Sequence, residues 1–114
     1  MTPEAFDKAC LALPGATLSI QWGDNHVFKV GEKMFAVRAA AGDSFSFKAS
    51  DVAFEVLTES GRAKPAPYLA RAQWVWFADM AAEDEAEVAG WLASAHALVA
   101  AKLTRKTKAA LGIS

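Results

Sequence analysis

The sequence predicts an α+β domain: an antiparallel five-stranded sheet packed by helices, in the order α-β-β-β-β-α-β-α. Three observations point there. Apolar and polar residues alternate between Thr17 and Lys48, glycines punctuate that alternation, and apolar stripes of helical spacing stand at both ends of the chain.

The first element is a short helix over Pro3–Leu13. Phe6, Ala9, Cys10 and Leu13 recur at spacings of three and four, Pro3 suits a first turn, and Pro14-Gly15 ends the run. Thr17–Trp22 then alternates, with Leu18, Ile20 and Trp22 facing one way, as in a strand covered on one side. Gly23-Asp24-Asn25 turns the chain into a second strand, His26–Val30, which carries His26, Phe28 and Val30 on one face. Gly31-Glu32 makes a tight connection to a third, Lys33–Ala39. Gly42-Asp43 leads to a fourth, Ser44–Lys48, with Phe45 and Phe47 inward. Ser50 or Asp51 caps a helix running to about Glu59, whose inner face is Ala53, Val56 and Leu57. The two prolines of GRAKPAPY, residues 61–68, read as a rigid loop. The fifth strand, Gln73–Ala78, has aromatic residues on both faces and is expected to be central or doubly covered. Asp84 caps the last helix, with Glu87 at the capping-box position. Its apolar stripe runs from Val88 through Trp91, Leu92, Ala95 and Val99 to Leu103, and Gly90 is read as a weak point of the helix that permits close packing.

The chain has 114 residues, 54% hydrophobic and 22% charged, which suits one globular domain over residues 1–114. The net charge of -1 excludes a generally polybasic protein but leaves room for a local basic face. Cys10 is the only cysteine, so neither an intrachain disulfide nor a cysteine cluster for zinc can form, and it reads as a small buried thiol. With no secretory leader and no bilayer-length apolar run, a cytoplasmic location is expected, with no membrane partner.

Catalytic patterns are missing. His26 and His96 lie on different elements, with His96 expected as a partly exposed helix residue. Ser94 and His96 diverge around their helix, and there is no GxSxG, HExxH or phosphate-binding glycine loop. No metal, cofactor or enzymatic activity is expected. Cations are the remaining signal. Arg62, Lys64 and Arg71 lie in a segment without an acid and flank Tyr68, with Trp74 just beyond. Lys102, Arg105, Lys106 and Lys108 form a second such segment. Lys29 and Lys33 add a pair on the second hairpin, where like charges have no structural value of their own. Amines beside aromatic rings are the means of holding a phosphate backbone and stacking on a base, and also an ordinary solvated surface.

Five segments, in order, resemble the MmcQ/YjbR family, also called DUF419: LPGAT at 13–17 followed by Trp22, FKVGEKMFA at 28–36, PAPYLAR at 65–71, Trp74-Val75, and LVAAKL at 98–103. The resemblance implies a YjbR-like α+β fold of double-winged, CyaY-like or secretion-chaperone-like type. It also implies a DNA-binding role of otherwise unknown purpose and no established catalytic site. Ala95-His96 stands where many relatives have a Ser-Tyr pair. The expected function is therefore a non-enzymatic nucleic-acid-binding module, DNA in the first instance. Lys29, Lys33, Lys64, Arg71 and Lys102 would contact phosphates, with Tyr68 and Trp74 flanking them. The competing readings are a protein- or peptide-interaction domain and a small-ligand-binding domain. The chain is expected to be a monomer or a weak homodimer.

Overall fold

The computed structural model describes residues 1–40, 43–67 and 69–113. Gly42, half of the expected third turn, lies outside the described residues. Thr2 opens α1 (Pro3–Leu11) by accepting the Ala5 N–H at 3.1 Å, and Pro3 sits in the first turn, where no N–H is needed. The strands β1 (Ala16–Gln21), β2 (Asn25–Val30), β3 (Lys33–Arg38) and β4 (Phe45–Lys48) follow as a meander. Next come α2 (Asp51–Glu59), β5 (Lys64–Pro65), β6 (Trp74–Phe77), α3 (Glu85–Ala100) and α4 (Arg105–Ala110), with short 3-10 turns at Ala70–Ala72 and Met80–Ala82. The sheet order is β1-β2-β3-β4-β6-β5, antiparallel throughout. No helix among the described residues is long and apolar enough to cross a membrane.

The expected five-stranded sheet with three helices is thus corrected to six strands and four α-helices among the described residues. The extra strand, β5, has two residues, too few to show alternation. It pairs Lys64 with Trp76 and Pro65 with Val75 at the sheet margin, where a proline can sit without breaking an internal ladder. The extra helix, α4, reads RKTKAA and has no buried residue, so no stripe announces it. Thr104 caps it by accepting the Thr107 N–H at 3.1 Å.

One buried cluster joins α1, α2 and α3 to alternate residues of the strands, so the helices share one face of the sheet. Its centre is aromatic. Phe45 and Phe77 stack with centroids 4.8 Å apart, Trp91 of α3 stacks on Phe77 at 5.1 Å, and Phe6 of α1 meets Phe45 edge-on at 5.4 Å. Such pairs add about 0.5–1.5 kcal/mol each beyond their burial. Cys10 is fully buried beside Phe6 in this cluster, and burial pushes its thiol far above the ordinary cysteine range, which makes it inert. The alternation of β3 breaks at a bulge. Phe28 lies opposite Ala36 but Lys29 opposite Met34, so Phe35 is the extra residue, and both Phe35 and Ala36 are buried.

Coverage is narrower than the apolar pattern predicts. Leu18 and Ile20 of β1 and Trp22 beyond it are 38%, 52% and 61% exposed, because the buried cluster takes only the partly buried Ala16 from β1. On α2 only Leu57 is fully buried. Val56, expected inward, is exposed. Gly90 packs against nothing: a Cβ there would meet no atom within 4 Å. Gly31 is the close contact instead. Its φ is +57°, and a Cβ would come within 2.8 Å of two Leu103 methyls.

Two opposite stability changes follow. Gly31→Ala loses about 1–3 kcal/mol through the clash with Leu103 and the left-handed backbone. Gly90→Ala gains about 0.5–1 kcal/mol, because α3 loses a helix-weakening residue at an open site. Urea denaturation of both variants measures the pair, and equal midpoints would contradict this packing.

Candidate anion-binding cleft

The Gly31–Leu103 contact sets the position of the chain beyond α3 against the β2–β3 turn. Lys102, immediately before Leu103, is thereby brought near Lys33, the first residue of β3. Lys48 ends β4, and the β4–β6 register places it opposite Trp74. These elements border an open cleft of about 410 Å³ lined by Lys33, Met34, Lys48, Ala72, Trp74, Val99 and Lys102. Its lining contains three lysines and no acid. A second depression of about 280 Å³ shares Lys48 and Lys102 and reaches Ser50, Asp51 and Gln73.

Lys48 is the most constrained of the three amines. It is half-buried, and its Nζ donates to the Ala72 carbonyl. Burial holds its pKa below the ordinary lysine value, the positive charge of Lys102 lowers it further, and Asp51 offsets this in part. A desolvated amine beside a like charge is relieved by an anion placed between them. The cleft offers that position, with one wall formed by the buried Trp74.

The structure brings together three of the seven residues expected at a site: Lys33, Trp74 and Lys102. Lys29 lies one strand away, opposite Met34, and does not line the cleft. Lys64 is on the β5 edge opposite Trp76, and Arg71 is exposed on the 3-10 turn beside Ala72; neither is in the lining. Tyr68 lies outside the described residues. Lys48 was missed by sequence reasoning. Its strand position was legible, but its place against Trp74 depends on a long-range pairing of β4 with β6.

Other polar groups serve the fold. Arg62 donates to Glu83 at 3.1 Å and Glu87 at 2.7 Å, and its guanidinium lies 5.2 Å from the centre of the Trp91 ring. Its charge in the basic segment is therefore already matched. Asp84 caps α3 by accepting the Glu87 N–H at 2.9 Å. His96 is buried, not partly exposed as expected. Its Nε2 lies 2.7 Å from the Pro14 carbonyl, to which it donates, and its ring meets Phe35 edge-on at 5.4 Å. His26 meets Asp7 at 3.1 Å, while Arg38 donates to both Asp7 oxygens at 2.6 and 2.7 Å, tying α1 to β2 and β3. The hydrogen bonds to Asp7 also raise the Arg38 pKa. Among the described residues, no group of three or more His, Cys, Asp or Glu side chains is placed to hold a metal ion.

The coupling of Lys48 to Lys102 is directly measurable. Lys102→Met moves the Lys48 pKa upward, toward but not up to the ordinary lysine value, since burial persists. Side-chain NMR titration of the Lys48 ammonium follows the change. An unmoved titration would show that the two amines do not sense each other.

Comparison with known proteins agrees with this architecture. The structure is similar to the crystal structure of Deinococcus radiodurans protein DR2400, described with the domain DUF419. The TM-score is 0.86 at 23% identity, covering 99% of this chain and 89% of that one. At that identity the likeness shows the fold. No curated protein matches. The YjbR family model matches residues 11–98, which span β1 to β6 and most of α3. The chain belongs to the YjbR (DUF419) family.

Proposed function

We propose that this chain is a non-enzymatic nucleic-acid-binding module, for DNA in the first instance, and that the lysine cleft is where it holds the phosphate backbone. One observation carries the reading: Lys33, Lys48 and Lys102 line one cleft without an acid among its lining residues. A chain of net charge -1 has no long-range attraction to nucleic acid, so the field that matters is local. Phosphate contacts of this kind fix position and carry no sequence information, so binding should discriminate little between sequences. Lys29, Lys64 and Arg71 lie outside the cleft and would act as a weaker outer rim.

Three phosphate contacts give a log–log salt slope of about -2.7 on duplex DNA and about -2.1 on a single strand. Anisotropy titration of labelled oligonucleotides across a salt series tests this. Lys33→Glu, Lys48→Glu and Lys102→Glu each weaken binding and flatten the slope. Lys8→Glu on α1, away from the cleft, leaves both unchanged. A flat salt dependence, or equal effects from all four variants, removes the cleft as the contact.

The protein-interaction reading has its own support in the exposure of Leu18, Ile20 and Trp22. It involves a different part of the sheet.

A further inference from the structure

The two edges of the sheet are built differently. The β5 edge is two residues long and carries Lys64 and Pro65, both of which discourage another strand from adding. The β1 edge is six residues long, ATLSIQ, with neither charge nor proline. Its outer backbone groups have no neighbouring strand, since β1 is terminal in the sheet order. Its helix-side residues Leu18 and Ile20, which face the same way as Phe28 and His26 opposite them, are largely exposed. A free edge of this kind calls for an extended partner. The absence of charge along it gives no reason for a charged one.

We propose that β1 pairs antiparallel with β1 of a second copy of this chain, about a two-fold axis at Ser19, to form a weak homodimer with a continuous sheet. Alternation admits only registers in which like faces oppose, and of these the one centred on Ser19 pairs both large apolar residues of the strand, Leu18 with Ile20. With Ser19 opposite Ser19, directly opposed residues share a face. Leu18 of each copy then meets Ile20 of the other on the helix side, and Thr17 meets Gln21 on the other side. A shift by one residue would place the apolar row of one copy on the polar face of the other. Trp22, 61% exposed, turns out of the strand at φ +51° immediately beyond Gln21 and leaves a large apolar ring at the end of this ladder. A standard stable interface takes about 800 Å² and 20–30 residues from each partner. The β1 edge offers six strand residues, well short of that number, so the dimer forms only as concentration rises.

Sedimentation velocity over a wide concentration range tests the pairing. The wild-type chain should move from monomer to dimer as concentration rises. Leu18→Lys and Ile20→Glu should each remain monomeric, and thermal melts check that each is folded. Mixing these two variants should restore a dimer, because the axis places the lysine of one opposite the glutamate of the other and leaves Ile20 facing Leu18. Amide exchange of residues 17–21 should slow with concentration in the wild-type chain alone. A wild-type chain that stays monomeric throughout would overturn the proposal, as would a dimer indifferent to both substitutions or a mixture that fails to associate. Capture of a different protein by a monomeric wild-type chain would assign the edge to that partner instead.

Discussion

Leu103 lies so closely against the β2–β3 turn that a Cβ at position 31 would push its methyls aside. This contact joins two parts of the chain separated by more than half its length. It is steric, and it tolerates little displacement, because the turn needs a left-handed residue at Gly31 and Leu103 is itself buried. Lys102 is adjacent to Leu103 and Lys33 follows the turn, so a packing constraint on two uncharged residues brings two amines together. The lysines have no attraction of their own to hold them there. Their proximity costs electrostatic energy, which the apolar contact and the surrounding core must offset.

The same separation between what holds the fold and what remains available to a partner recurs across the molecule. Arg62 has two carboxylates and an indole face, and it ties the end of α2 to the start of α3. Asp7, His26 and Arg38 do the same for α1 and the strands. Lys33, Lys48 and Lys102 surround space. Placement of the neighbouring acids makes that difference, and those acids come from distant segments. A cation's availability is therefore a property of its three-dimensional surroundings, and a run of cations in the chain is a poor measure of it.

The sheet shows an analogous division. Helices on one face bury the aromatic stack of Phe45, Phe77 and Trp91, whereas β1 extends past the covered area. An apolar residue on a strand is usually interpreted as core. Here Leu18, Ile20 and Trp22 follow the core pattern without a layer above them. The cleft lies among β3, β4, β6 and the end of α3, and the open edge is β1, so each can be occupied without the other.

Much of the architecture was legible in the sequence because it is encoded locally. Two-residue periodicity and glycine turns set the β1–β4 meander, Ser50 and Asp84 set helix starts, and the stripe from Val88 to Val99 set α3. The ordered motifs from LPGAT to LVAAKL were enough to indicate the family. What lacked a local code was lost: β5 is too short for a period, α4 has no apolar face, and Val56 and Ile20 carry the pattern of buried residues without the cover. Lys33, Trp74 and Lys102 could be named as candidates from charge and aromaticity alone. That they meet, that Lys48 joins them, and that Arg62 does not was decided by the β4–β6 register and by the Gly31–Leu103 contact. Periodicity and capping depend on residues a few positions apart, whereas a binding surface depends on distances between residues that only the folded chain brings together.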